Sequence, residues 1–171
     1  LFNAAVALNL PPSRIASPFD SVTVCLSKGL GCPVGAVLAH SQARAGQVRR
    51  LKQLMGGAMR QSGILAAAGL YALEHQVGRL ADDHRRARQL AEGLLELPQL
   101  VVERVPLRTN MVFFEVPDRH SPDQLEQGLA ADNIRLSRMH ARRFRAVTHL
   151  DFDDHQLEQV LRAFRRLVPK L

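Results

Sequence analysis

Lys28 closes an apolar, β-branched run, Val22-Thr23-Val24-Cys25-Leu26, and opens a turn that carries Gly29, Gly31 and Gly35 within the next seven positions. Of the 23 Lys and Arg residues, three are lysine, and the other two, Lys52 and Lys170, lie in ordinary charged surroundings. A lysine offers what an arginine cannot: an amine that can lose its proton and condense with a carbonyl. Burying it for packing alone would be costly. The preceding run reads as a buried strand, and the glycines permit positive φ and the close backbone approach of a flat ligand. That combination points to the chemistry by which a lysine holds pyridoxal phosphate (PLP) as a Schiff base. A strand-end lysine that snorkels to water fits the same local pattern and is the competing reading.

Two arginines are further candidates. Arg145 falls in the run Phe144 to Leu150, where strand alternation puts Arg145, Val147 and His149 on one face. A guanidinium so placed can grip a carboxylate through two parallel hydrogen bonds. Arg60 follows Gly56-Gly57-Ala58-Met59 at a predicted helix start, where free N–H groups, the helix dipole and the guanidinium together suit an anion such as a phosphate. A structural salt bridge is the alternative for Arg60. His149, followed by Leu150-Asp151 at the approach to a helix, reads as a hydrogen-bonded structural residue and is left out of the catalytic set.

The elements that must position these residues follow from periodicity. Arg44 to Leu54 predicts a short amphipathic helix, and Arg60 to about His75 an alanine-rich, buried one. Val77, Leu80, Ala81, His84, Ala87, Ala91, Leu94 and Leu95 keep helical spacing as far as Leu97, where Pro98 stops the helix. Beyond it the pattern is strand (100–105), strand (110–116), helix, strand (134–139), strand (144–150), helix. Ser121, Pro122 and Gln124 announce the first of those helices as a capping box, and Leu157, Val160, Leu161, Phe164 and Leu167 form one face of the last.

The net charge of +7 and pI near 10.6 raise the possibility of nucleic-acid binding. Against it, the Arg clusters alternate with acids such as Asp82, Asp83, Glu92 and Glu96, and the chain has one Tyr and no Trp to stack on bases. Solvated helix faces are expected instead, with no nucleic-acid partner. No stretch has membrane-spanning length free of charge and no secretion signal opens the chain, so no membrane partner and a cytoplasmic location are expected. Cys25 and Cys32, with six residues between them and no His cluster, read as two buried reduced thiols, not a metal site or disulfide.

Ser21 to Leu38 resembles the cofactor-lysine segment of the low-specificity L-threonine aldolases, PLP enzymes of the aspartate-aminotransferase type. Three more stretches match that family in the same order: Gly56 to Leu70, Thr109 to Val112, and Arg145 to Asp151. Ala58, where a third glycine is usual, and Ala146, where a larger aliphatic is usual, depart from the pattern without removing a chemical group. The resemblance covers essentially the whole chain. It implies an α/β fold made of the end of the PLP-dependent transferase large domain (incomplete) with the long connecting helix over residues 1–97, and a small C-terminal α/β domain over 98–171. It implies PLP as cofactor, Lys28 as its catalytic attachment point, Arg145 on the substrate carboxylate, Arg60 on the cofactor, and no metal.

The implied activity is a carbon–carbon lyase that cleaves L-threonine or L-allo-threonine to glycine and acetaldehyde, working as a homodimer or homotetramer. Leu1 follows, in that family, a His-Leu-Asp-Gly-Ala-Arg segment, so the chain is expected to be a C-terminal portion, inactive by itself. Another fold-type I PLP enzyme, a β-eliminating lyase or an aminotransferase, is the alternative.

Overall fold

A computed structural model of the chain describes residues 1–106 and 109–170. They form two compact units, Leu1–Leu80 and Ala81–Leu171.

The first unit opens with α1 (Phe2–Leu8), ended by Asn9 in the left-handed conformation, and α2 (Pro12–Ala16). β1 (Ser21–Cys25) then pairs antiparallel with β2 (Ala36–His40), in register from Ser21 opposite His40 to Cys25 opposite Ala36. α3 (Ala45–Leu54) and α4 (Gly63–His75) follow. A small core holds the unit together: Leu26, Leu30, Cys32, Ala72 and Leu80, with Phe2, Val6, Val24 and Val77 against it.

Two expectations are corrected here. The strand before Lys28 is not fully buried: β1 alternates between exposed and half-buried, and β2 is exposed along most of its length. Among the described residues these two strands pair with each other alone, so the apolar run has no sheet neighbour to cover it. Nor is the alanine-rich helix buried. Gly69 and Ala72 are its buried residues, whereas Ile64, Leu70 and Tyr71 are 79%, 63% and 59% exposed. One face alone meets neighbours, at Gly69, where an added Cβ would stand 3.1 Å from Leu26 Cδ1. α4 also starts three residues later than Arg60, after a turn in which Gln61 takes φ 53°.

Helical spacing from Val77 overran a turn in the same way: α5 spans Leu80–Leu95, and Leu80 N–H closes onto the Val77 carbonyl at 3.2 Å. In the second unit β3 (Val101–Val102), β4 (Met111–Glu115), β5 (Ser137–Arg138) and β6 (Arg143–Val147) form an antiparallel sheet in the order β3-β4-β6-β5. α6 (Pro122–Ala131) and α7 (Asp154–Leu167) complete the α/β lobe. Alternation along β4 and β6 sends Val112, Phe114, Phe144 and Ala146 into one core with Leu94 of α5, Leu125 of α6 and Phe164 of α7. The edge strands are shorter than the hydrophobic runs that suggested them. Ile134 and Leu136 pack against the core while only Ser137 and Arg138 pair.

The capping box expected at Ser121 forms by half, with Gln124 N–H donating to Ser121 Oγ at 3.3 Å. The complete box stands on α7. Gln156 N–H donates to Asp153 Oδ1 at 2.8 Å, and Asp153 N–H donates to Gln156 Oε1 at 2.9 Å. Asp153→Ala is therefore expected to destabilise the second unit by about 1 kcal/mol, measured by urea unfolding, with Ser121→Ala costing less.

Candidate active site

The turn after β1 is built from buried anchors on either side of an exposed lysine. Leu26, Leu30 and Cys32 are buried; Lys28 between them is exposed. Backbone bonds fix the loop: Leu26 N–H to Gly35 O at 2.9 Å, Cys32 N–H to Leu26 O at 3.1 Å, and Gly31 N–H to Lys28 O at 2.8 Å. Gly31 and Gly35 adopt φ of 72° and 127°, so here the glycines do supply the left-handed backbone that L side chains resist.

The segment just before α5 braces the same turn. Arg79 donates from Nη2 to the Gly29 carbonyl at 3.1 Å and from Nε to Gln76 Oε1 at 3.0 Å. A Cβ at Gly29 would come within 3.0 Å of Leu80 Cδ2. Arg79 sits 50 residues from Gly29 in the chain, and no local pattern marked it.

Lys28 Nζ donates to Cys25 Sγ at 3.0 Å, and Ser27 Oγ lies 3.3 Å from the same sulfur. The Ser27 hydroxyl first, the Lys28 ammonium next and the Ser27 backbone N–H third stabilise the thiolate, holding the Cys25 thiol down from 9.0 to about 7. Cys25 is thus half-buried and engaged, a correction to the expectation of two buried thiols; Cys32 is the buried one, its Sγ donating to Ala68 O at 3.5 Å. Iodoacetamide alkylation of Cys25 in the PLP-free chain is expected to rise with a midpoint near pH 7, shifting upward in Lys28→Ala. A parent-chain midpoint at 9.0 would show that the contact does not form.

Arg60 is exposed in the turn between α3 and α4 and makes no ion pair or hydrogen bond among the described residues, so the salt-bridge alternative is not realised. Gly56 at φ 73° and Gln61 at φ 53° bracket it. Arg145 lies in β6 between Phe113 and Ser137, on the sheet face opposite the core. Its Nη2 donates to Ser137 Oγ at 3.4 Å, and its Nε is buried without a partner, a donor that lacks an acceptor. His149 accepts from Asp151 N–H at 3.2 Å through Nδ1, the local structural role expected of it.

The four motifs come together in pairs. In the first unit, Ser21–Leu38 packs on Gly56–Leu70 through Cys32 with Ala68 and Leu26 with Gly69. In the second, Thr109–Val112 meets Arg145–Asp151: Thr148 N–H donates to Asn110 O at 3.0 Å, and Asn110 Nδ2 donates to Thr148 O at 3.1 Å. Thr148 Oγ1 also donates to the Asp83 carbonyl at 2.7 Å, tying the motif to α5.

Solved structures share the fold of this chain. A structure assigned to an L-allo-threonine aldolase of Listeria monocytogenes EGD-E superposes with TM-score 0.77 at 20% identity, covering 99% of this chain and 50% of that one. A structure of SPT with PLP as an internal aldimine gives 0.67 at 17% identity, covering 89% and 40%. The chain belongs to the beta-eliminating lyase family, whose model matches residues 1–117. It is 39% identical over 170 residues to the low specificity L-threonine aldolase of Escherichia coli K12, covering 99% of this chain and 49% of that protein. The chain spans about half the length of the curated relatives it matches.

Proposed function

We propose that this chain carries the cofactor lysine and one substrate arginine of a PLP-dependent aldolase, and that the complete enzyme cleaves L-threonine or L-allo-threonine to glycine and acetaldehyde. The observation that carries the reading is Lys28, an accessible amine at a strand end, on a turn that Arg79 and Leu80 brace from below. The residues present fit PLP: an amine for its aldehyde at Lys28, and an unpartnered guanidinium for its phosphate at Arg60. PLP, when bound, supplies the electron sink for the charge left on Cα.

Lys28 Nζ would hold the cofactor through the cofactor's carbonyl carbon. Arg145 takes the substrate carboxylate with two parallel hydrogen bonds from its guanidinium and so sets the direction of the Cα–Cβ bond. That bond breaks, the β-hydroxyl loses its proton as the acetaldehyde carbonyl forms, and Cα gains a proton to become glycine. Arg145→Lys keeps the charge and loses the fork. It is expected to raise KM and lower kcat by about tenfold or more while PLP binding survives; loss of PLP with normal threonine cleavage would refute the assignment.

The domain division we propose places the cofactor half in residues 1–97 and the small lobe in 98–171. A homodimer or homotetramer is part of the reading, supported by the exposed apolar side chains Met59, Ile64, Leu70 and Tyr71. A cytoplasmic site of action is supported by the two free thiols; no helix among the described residues is long and apolar enough to cross a membrane. Nucleic acid is no partner in this reading. Arg85 and Arg86 pair with Asp154, Arg143 pairs with Glu103, and Arg142 holds the backbone carbonyls of Val116, Pro117 and His120.

The family model matched by residues 1–117 favours β-elimination as the second reading. Incubating the complete enzyme with L-threonine separates the two. Equal amounts of acetaldehyde and glycine support the aldolase, whereas ammonia with a 2-oxo acid supports elimination.

A further inference from the structure

Two nucleophiles meet at the end of β1. Lys28 Nζ and Cys25 Sγ are 3.0 Å apart, with Ser27 Oγ 3.3 Å from the sulfur, and both side chains reach solvent. The second thiol does not compete, because Cys32 is buried and directed at the Ala68 carbonyl. We propose that the Cys25–Lys28 pair is an oxidation site at which peroxide converts the Cys25 sulfur to a sulfenic acid and Lys28 Nζ then closes on that sulfur, forming a reversible S–N bond.

The chemistry balances. The Cys25 thiolate attacks hydrogen peroxide, the O–O bond breaks, and the sulfur becomes a sulfenic acid as hydroxide leaves. The hydroxide takes a proton from the Lys28 ammonium and becomes water. The free amine displaces the sulfenic hydroxyl, forming the S–N bond and a second water. Relative to thiol and amine, the protein has lost two hydrogens, and peroxide has been reduced to two waters. Two equivalents of an added thiol reverse the bond and leave as a disulfide.

Geometry selects this outcome over deeper oxidation because the amine already stands in hydrogen-bond contact with the sulfur, whereas a second peroxide must arrive by diffusion. The lowered thiol pKa supports the first step, since the thiolate is the form that attacks. The bond would remove the one amine placed to hold a cofactor carbonyl, so oxidation would block PLP loading. That consequence rests on the function proposed above, but formation of the bond does not.

The test is peroxide treatment of the PLP-free Cys32→Ala chain, followed by intact mass and tryptic mapping. The expected result is a loss of about 2 Da, failure of trypsin to cut after Lys28 so that residues 15–44 emerge as one peptide, and recovery of both on adding dithiothreitol. Cys25→Ser and Lys28→Arg, each made in the Cys32→Ala chain, should show no such mass loss. A gain of two or three oxygens on Cys25 with normal cleavage after Lys28, a disulfide-linked dimer, or the same mass loss in Lys28→Arg would overturn the proposal. If the S–N bond forms but borohydride fixes PLP on another lysine, the oxidation site stands and the cofactor assignment falls.

Discussion

Lys28→Ala is expected to abolish covalent cofactor attachment and to reduce threonine cleavage by the complete enzyme on the order of a thousandfold or more, the scale on which loss of a covalent catalytic group is felt. The reason is chemical and positional. Among the three lysines, Lys28 alone stands in a glycine turn just after a strand, a turn whose backbone is held at Leu26, Gly31, Cys32 and Gly35 and whose Gly29 carbonyl is held by Arg79. Alanine removes the amine and leaves those restraints untouched, so the variant should fold with unchanged far-UV circular dichroism and lose the absorbance of lysine-bound PLP. Activity within tenfold of the parent, with that absorbance retained, would mean that another amine does the work.

Phe114→Ala is expected to cost the second unit about 4 kcal/mol. The ring is 1% exposed, stacks on Phe144 at 5.4 Å between centroids, and meets Phe164 edge-on at 5.6 Å. One truncation thus leaves a void shared by β4, β6 and α7 in the centre of the lobe, where none of the three elements can collapse without moving the others. Met111, on the other face of the same strand and 38% exposed, should tolerate alanine with a loss below about 1 kcal/mol. Urea unfolding reads both. Similar midpoints for the two variants would contradict the core assignment.

The turn around Lys28 was legible because its geometry is local: a strand, a lysine and a glycine turn follow one another in the chain, and Gly31 and Gly35 do take positive φ. The second lobe was legible because its strands alternate and its helices carry one apolar face, signals that survive without knowledge of neighbours. Burial was not legible. Val22 to Leu26 and Ile64 to Leu73 are apolar enough for an interior, yet which faces are covered depends on partners that a one-dimensional pattern does not specify. Helix starts at Gly63 and Leu80 were missed by three residues each, because turns at Gln61 and Gln76–Arg79 continue the apolar spacing while breaking the backbone geometry. Arg79 and Cys25 were missed for another reason. A tether across 50 residues, and a thiol whose significance lies in a lysine's side-chain direction, exist only once the chain has folded.

Reduction of the PLP-loaded enzyme with borohydride, followed by mass-spectrometric mapping of the phosphopyridoxyl group, tests the central proposal most directly, because reduction makes the lysine–cofactor bond permanent. The label is expected on Lys28, in a peptide that trypsin no longer cuts after that residue. Label on Lys52 or Lys170, or none on any lysine of this chain, would contradict it.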